Sequence, residues 1–306
     1  MTSSAASRRP STEGYIPFKG YRTWYRSVGD PASDTTRPPV LILHGGPGIP
    51  HDYLENLEKL ADGGRRIIFY DQLGCGRSDQ PRRPEMWTVP LFVQEVGVVR
   101  HTLGLDRVHL LGQSWGGMLA MEYALTKPAG VASLIIESSP ASIPLWVAEA
   151  NRLRAELPPD VQATLTRHER AGSTDSPEYQ QAMMVFYGRH VCRLDPYPDY
   201  VQWSFDTIGP EVYYVMNGPS EFHVIGTLKN WDITDRLDEI ALPTLLLSGR
   251  YDEATPRIME AVHGGIPGSE WALFENSSHM CHCEEEDRYL EVVNAWLARH
   301  DPVMGS

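Results

Sequence analysis

Gly112-Gln113-Ser114-Trp115-Gly116-Gly117 is the stretch from which the rest of this chain is best read. It fits G-x-S-x-G, a sharp strand-to-helix turn that lifts one serine hydroxyl clear of the end of a sheet. The flanks suit that turn. Arg107-Val108-His109-Leu110-Leu111 before it is a short apolar strand, and residues 118–126 after it read as a helix. Small residues beside the serine are what such a turn needs, because its backbone is strained and closely packed.

Working outward, further apolar runs lie at 40–43, 66–70, 134–136, 244–247 and 271–274. They are continuous rather than alternating, as in strands buried on both faces. Helical stretches such as 89–103 separate them, and that alternation predicts an α/β fold on a mainly parallel sheet. Residues 21–28 alternate instead and predict an antiparallel edge strand. The pattern breaks between 142 and 235, where 145–157 and 177–190 read as helices and no strand of core type is evident. Pro158-Pro159 and Pro196-Tyr197-Pro198 punctuate that region. The expected organisation is a disordered tail at 1–12, an α/β core at 13–141 and 236–306, and a helical cap at 142–235.

Composition narrows the function. A net charge of −13 argues against nucleic acid as a partner; it serves solubility or, more sharply, attracts cationic substrates. No apolar run reaches 18 residues, so no membrane span is expected. The first ten residues lack the apolar segment of a secretory signal. Cys75, Cys192, Cys281 and Cys283 show no disulfide-framework spacing, so a reducing cytoplasm is expected. His279-Met280-Cys281-His282-Cys283 looks like a metal cluster but has no second Cys/His pair at finger-like distance, so no metal is expected.

A serine hydroxyl attacks at neutral pH only with a base to take its proton and a carboxylate to orient that base. With this kind of elbow the chain order is serine, acid, histidine. Asp252 follows the late strand 245–247, and His279 follows the next strand. Ser114, Asp252 and His279 are therefore the candidate triad, with His282 as the rival base. The oxyanion formed on attack needs aimed N–H donors. Trp115, directly after the serine, supplies one. His44-Gly45-Gly46-Pro47-Gly48 follows strand 40–43 and supplies the other, from Gly46 in preference to Gly45, whose lack of a side chain lets substrate approach. The chemistry calls for no cofactor.

These motifs, with Tyr70-Asp71-Gln72-Leu73-Gly74-Cys75-Gly76-Arg77-Ser78, Met216-Asn217-Gly218-Pro219-Ser220-Glu221-Phe222, Trp231-Asp232 and Gly249-Arg250-Tyr251-Asp252-Glu253, resemble the proline iminopeptidase family of α/β-hydrolases. The likeness runs in order over about residues 14–300. It is nearest to the branch with broad aminopeptidase activity, which includes the tricorn-interacting aminopeptidase, and to related amino-acid amidases. The resemblance implies an α/β-hydrolase fold and release of an N-terminal residue, often proline, from short peptides, amides or arylamides. It also implies that Glu221 and Glu253 bind the substrate's free α-amino group. A buried ammonium must be paired, and two carboxylates would also fix register at Ser114. Such carboxylates are expected to raise each other's pKa until the ammonium arrives. Tyr213 and Tyr214 are candidates for the pocket wall. Trp115 either walls the proline ring or packs beneath the cap. An esterase or lactonase on the same scaffold, in which Glu221 and Glu253 are incidental, is the competing reading, and a binding protein without catalysis is a third.

Overall fold

The computed structural model describes residues 9–302. Its single sheet has eight strands: β1 (Ser11–Phe18), β2 (Tyr21–Val28), β3 (Val40–Leu43), β4 (Ile67–Tyr70), β5 (Val108–Gln113), β6 (Val131–Glu137), β7 (Thr244–Gly249) and β8 (Glu270–Phe274). Their spatial order is β1-β2-β4-β3-β5-β6-β7-β8. The β1–β2 and β2–β4 pairs are antiparallel and all later pairs are parallel. Among the described residues the α-helices are α1 (Val89–Thr102), α2 (Trp115–Leu125), α3 (Ile143–Arg154), α4 (Pro159–Ala171), α5 (Pro177–His190), α6 (Asp199–Asp206), α7 (Pro210–Met216), α8 (Pro256–Gly265), α9 (Cys281–Glu284) and α10 (Glu286–His300).

Alternation along the central strands explains why they read as unbroken apolar runs. Leu41, Leu43 and Ile68 face the cluster that contains α1, α2 and α8. Val40, Ile42 and Phe69 face the opposite cluster, which contains α10 and the 3₁₀ segment His51–Gly63. With helices on both faces, every position is apolar.

Two expectations need correction. Residues 21–28 are antiparallel but internal, because β1 covers their outer side. The first five residues of β1 are exposed or half-buried, so it carries little hydrophobic pattern to read. The tail expected at 1–12 is overturned at residues 9–12, and residues 1–8 lie outside the described part. Arg9 pairs with Glu58 and Asp62, and Ser11 and Thr12 open β1 opposite Val28 and Ser27.

Between β6 and β7 the chain makes a helical insertion containing α3–α7, with no strand among the described residues. Its two ends are stitched together. The Ile143 N–H donates to the Trp231 carbonyl at 2.9 Å and the Ile233 N–H to the Ala141 carbonyl at 2.9 Å. The Ser142 hydroxyl donates to Asp232 Oδ2 at 2.7 Å.

The chain leaves β3 toward β4, then recrosses to β5 on the other side of β3. Carboxyl ends of strands at such a switch point bound a crevice. Here they lead into His44–Gly48 and Ser114.

One core carboxylate sits apart from that crevice. Glu95 on α1 is fully buried, and its Oε1 accepts from the Thr23 hydroxyl at 2.5 Å and the Leu73 N–H at 3.0 Å. Burial outweighs those bonds and pushes its pKa up to about 8. Between the unfolded carboxyl value near 4.3 and about 8, the folded state therefore holds a proton that the unfolded state has lost. Stability must fall as pH rises through that window. Glu95→Gln is expected to show a smaller drop in urea midpoint between pH 5 and pH 8 than the parent protein; equal drops would remove Glu95 as the cause.

Candidate active site

Ser114 occupies the turn between β5 and α2 with φ 56° and ψ −124°. That is left-handed territory for a residue with a side chain, and the surroundings hold it there. The Ser114 N–H donates to the Glu137 carbonyl at 2.9 Å, and the Ser139 hydroxyl donates to the Ser114 carbonyl at 2.7 Å. Close approach explains the flanking glycines. A Cβ on Gly112 would strike the Gly116 carbonyl, and one on Gly116 would strike those of Leu43 and His44.

Asp252 lies in the loop after β7 and His279 in the loop after β8. Both are buried, and His279 Nδ1 is 2.8 Å from Asp252 Oδ1. The Ala254 N–H also donates to Asp252 Oδ1, at 2.7 Å. Burial works against a charge on His279, but the carboxylates of Asp252 and Glu221 outweigh it and raise its pKa. Ser114, His279, Glu221, Glu253 and Gly46 line one small cavity of about 20 Å³. The His279 ring also meets Trp146 edge-on at 5.9 Å.

The loop after β3 is held from several sides. His44 Nδ1 lies 3.0 Å from the Gly45 carbonyl, and its Nε2 accepts from the Gln72 N–H at 2.8 Å. Burial lowers the His44 pKa to about 4, so the ring is neutral and its Nδ1 donates. The Gly45 N–H is spent on the Tyr53 hydroxyl at 2.7 Å, which favours Gly46 as the donor facing substrate. The Trp115 N–H belongs to the first turn of α2, where N–H groups lack partners within the helix. The Trp115 ring is buried. It packs on Phe92, donates to Gln72 Oε1 at 2.8 Å, and lines a second cavity of about 20 Å³ beside Ser114 with Met118, Ile143 and Trp146.

The two further glutamates converge from opposite parts of the chain. Glu221 comes from the insertion and Glu253 directly follows Asp252. Glu253 is fully buried, and neither carboxylate oxygen has a hydrogen-bond partner among the described residues. Its Oε1 lies 3.8 Å from His279 Nε2. Glu221 Oε1 accepts from the Tyr213 hydroxyl at 2.5 Å. Burial raises the pKa of both, and at Glu253 the charges of Glu221 and Asp252 raise it further. Repulsion by Glu221 is thus second to desolvation at Glu253, while burial is what raises Glu221. Glu221, Tyr187 and Phe205 continue into a wider cavity of about 490 Å³, which Tyr213 and the exposed Tyr214 also line.

The insertion reaches the same loops through its backbone. The His190 carbonyl, at the end of α5, accepts from both the Glu253 N–H and the His279 N–H at 3.2 Å. His190 Nδ1 sits 2.8 Å from the Tyr251 carbonyl, and the Arg193 guanidinium lies 4.0 Å above the Tyr251 ring.

The residues of the α/β hydrolase fold model match this chain over 38–286. The proline iminopeptidase of Clostridium botulinum is 43% identical over 95% of this chain and 99% of its own length. The chain belongs to the proline iminopeptidase family of α/β-hydrolases. It is a hydrolase. Among solved structures, the proline iminopeptidase of Mycobacterium smegmatis is 42% identical with a TM-score of 0.86, covering 95% of this chain and 99% of its own. The protein VinJ is 46% identical with a TM-score of 0.92 over the same shares.

Other groups singled out in the sequence do different work in this proline iminopeptidase-family chain. His282 is not placed as a base. Its Nδ1 lies 2.7 Å from Glu137 Oε1 and its Nε2 3.1 Å from the Tyr53 carbonyl. Cys281 donates to Glu137, and all four cysteines are free. A group that pattern did not suggest, His51, Asp52 and Asp71, also clusters as metal ligands do. Its acceptors are already engaged, since Asp52 accepts from the two terminal nitrogens of the Arg77 guanidinium at 2.8 and 2.9 Å and Asp71 takes His51 at 2.7 Å. Sequence reading also missed Tyr53, Gln113 and Glu137 as participants. Glu137 had a signal, a carboxylate ending the buried run Leu134-Ile135-Ile136. Tyr53 had none, since only folding brings it to Gly45.

Asp252→Asn would keep the geometry but present the wrong hydrogen-bonding group to His279. It is expected to lower turnover of an activated ester about 10⁴-fold, measured at fixed pH alongside circular dichroism. A folded variant that keeps a tenth of the activity would take Asp252 out of that role.

Proposed function

We propose that this protein is a serine aminopeptidase that removes an N-terminal residue, proline or another apolar one, from short peptides, amides or arylamides. The observation that carries the reading is the buried, unpartnered carboxylate of Glu253 in the same cavity as Ser114 and His279. An unmet buried polar group costs about 1–3 kcal/mol, and more when charged. A substrate ammonium offsets that cost; a capped amine does not. Glu221 supplies the second acceptor and Tyr213 steadies it.

Held by its ammonium, the substrate presents only its first carbonyl to Ser114. His279 takes the Ser114 proton as the oxygen attacks, and Asp252 stabilises the imidazolium. The Gly46 and Trp115 N–H groups receive the oxyanion. Collapse breaks the C–N bond as His279 returns the proton to the departing amine. Water, activated by the same imidazole, then hydrolyses the acyl-serine and frees the amino acid. Residues 142–235 form the cap over this site, carrying Glu221 and the walls of the wider cavity. No cofactor enters these steps. No helix among the described residues is long and apolar enough to cross a membrane. Four free thiols suit a reducing compartment such as the cytoplasm.

The decisive test is hydrolysis of proline, alanine and leucine p-nitroanilides, each with free and acetylated amine, by the parent protein and Ser114→Ala. Turnover only of free amines, abolished by Ser114→Ala, is expected. Ester turnover with equal indifference to free and blocked amines would replace this reading with an esterase.

The pH dependence has a definite sign. Raised pKa values of Glu221, Glu253 and His279 mean that each becomes active by losing a proton above its usual range. The kcat/KM of free-amine substrates is expected to climb with pH from the acid side, its limb displaced above 6.5, then fall as the α-amine deprotonates near 7.7–8.0. In Glu253→Gln, KM for free-amine substrates should rise at least about tenfold, the worth of 1.4 kcal/mol of lost charge-assisted bonding. An unchanged KM would separate Glu253 from amine binding.

A further inference from the structure

Tyr53, in the segment His51–Gly63, joins three parts of the site. Its hydroxyl accepts the Gly45 N–H at 2.7 Å and lies 2.6 Å from Gln113 Oε1. The directions of these bonds are fixed by proton count. The Gly45 N–H can only donate, so the single hydroxyl proton goes to Gln113 Oε1. The Gln113 amide nitrogen is then the group that reaches the His279 carbonyl, at 3.1 Å. The oxyanion loop, the residue before the nucleophile and the base loop are thereby linked around Ser114. A Cβ on Gly45 would sit 2.9 Å from both the Tyr53 hydroxyl and Gln113 Oε1, and 3.1 Å from Ser114 Cβ, so the link is packed as well as bonded.

A buried ion pair holds Tyr53 in turn. Both nitrogens of His282 face acceptors, the Glu137 carboxylate and the Tyr53 carbonyl. The ring therefore carries both protons. Burial opposes that charge, but Cys283 and Glu137 outweigh it and raise the His282 pKa, while His282 and the Tyr289 hydroxyl keep Glu137 ionised. The Tyr289 hydroxyl donates to Glu137 Oε2 at 2.7 Å. The same Glu137 accepts the Ser114 N–H on its backbone carbonyl.

We propose that Tyr53 is a positioning residue for hydrolysis: by occupying the Gly45 N–H and orienting Gln113, it fixes the oxyanion loop and His279 relative to Ser114. This rests on the serine-hydrolase reading above but not on the identity of the substrate. Small displacements of reacting groups can cost about a hundredfold in rate.

The test is Tyr53→Phe, which removes one oxygen and keeps the ring. Its kcat on a free-amine p-nitroanilide is expected to fall about 10- to 100-fold with KM within about threefold, since Glu221 and Glu253 are untouched. Labelling of Ser114 by a fluorophosphonate, which needs no amine, should slow by a similar factor. That second readout stands even if the anilides prove not to be substrates, so failure of the aminopeptidase reading and failure of this one are distinguishable. Gln113→Met, which keeps the volume but loses both bonds, should act in the same direction and serves if Tyr53→Phe does not fold. Wild-type labelling in either folded variant, or a rise in KM that accounts for the whole loss of kcat/KM, overturns the proposal.

Discussion

The contact of α2 with the end of β3 is the constraint on which the rest depends. Gly116 lies so near the Leu43 and His44 carbonyls that no side chain fits. That approach brings the first turn of α2 beside the glycine loop after β3, so helix and loop N–H groups can converge on one point. It also forces Ser114 into a conformation with φ of 56°. Strain of this kind costs about 1–3 kcal/mol. The bonds from Ser139 and to Glu137 maintain it.

Two buried carboxylates near Ser114 are treated in opposite ways. Glu137 is fully paired, by His282 and Tyr289, and its pKa is lowered. Glu253 is equally buried but has no hydrogen-bond partner among the described residues, and its pKa is raised. A fold that can satisfy the first has the means to satisfy the second. Leaving it open fits a group whose partner arrives with the substrate.

The sheet was legible because both faces are covered by helices, which makes each central strand an unbroken apolar run; β1, largely exposed, lacked that mark. In the insertion, the periodic helix Pro177–His190 was readable to its ends, while the short α6 and α7 were not, since eight and seven residues give too little period. Ser114, Asp252 and His279 could be named because strand ends and chain order constrain them. Glu221 and Glu253 needed the family resemblance, because two carboxylates 32 positions apart carry no spacing rule. Tyr53 and Gln113 were invisible as partners, since a hydroxyl meeting an amide across 60 residues is a product of packing alone.

The His190 carbonyl has a consequence for how such a protein can diversify. One oxygen from the insertion serves the amide hydrogens of both the acid loop and the base loop. The wide cavity is lined largely by side chains of α5, α6 and α7, which can change one by one without disturbing that carbonyl. The junction at 190–193 cannot be exchanged so freely, because it is shared property of pocket and catalytic loops. Grafting a foreign insertion onto this core would therefore succeed only if the graft brought a carbonyl to that same spot, which makes the end of α5, rather than the segment boundaries at 142 and 235, the true seam for recombination.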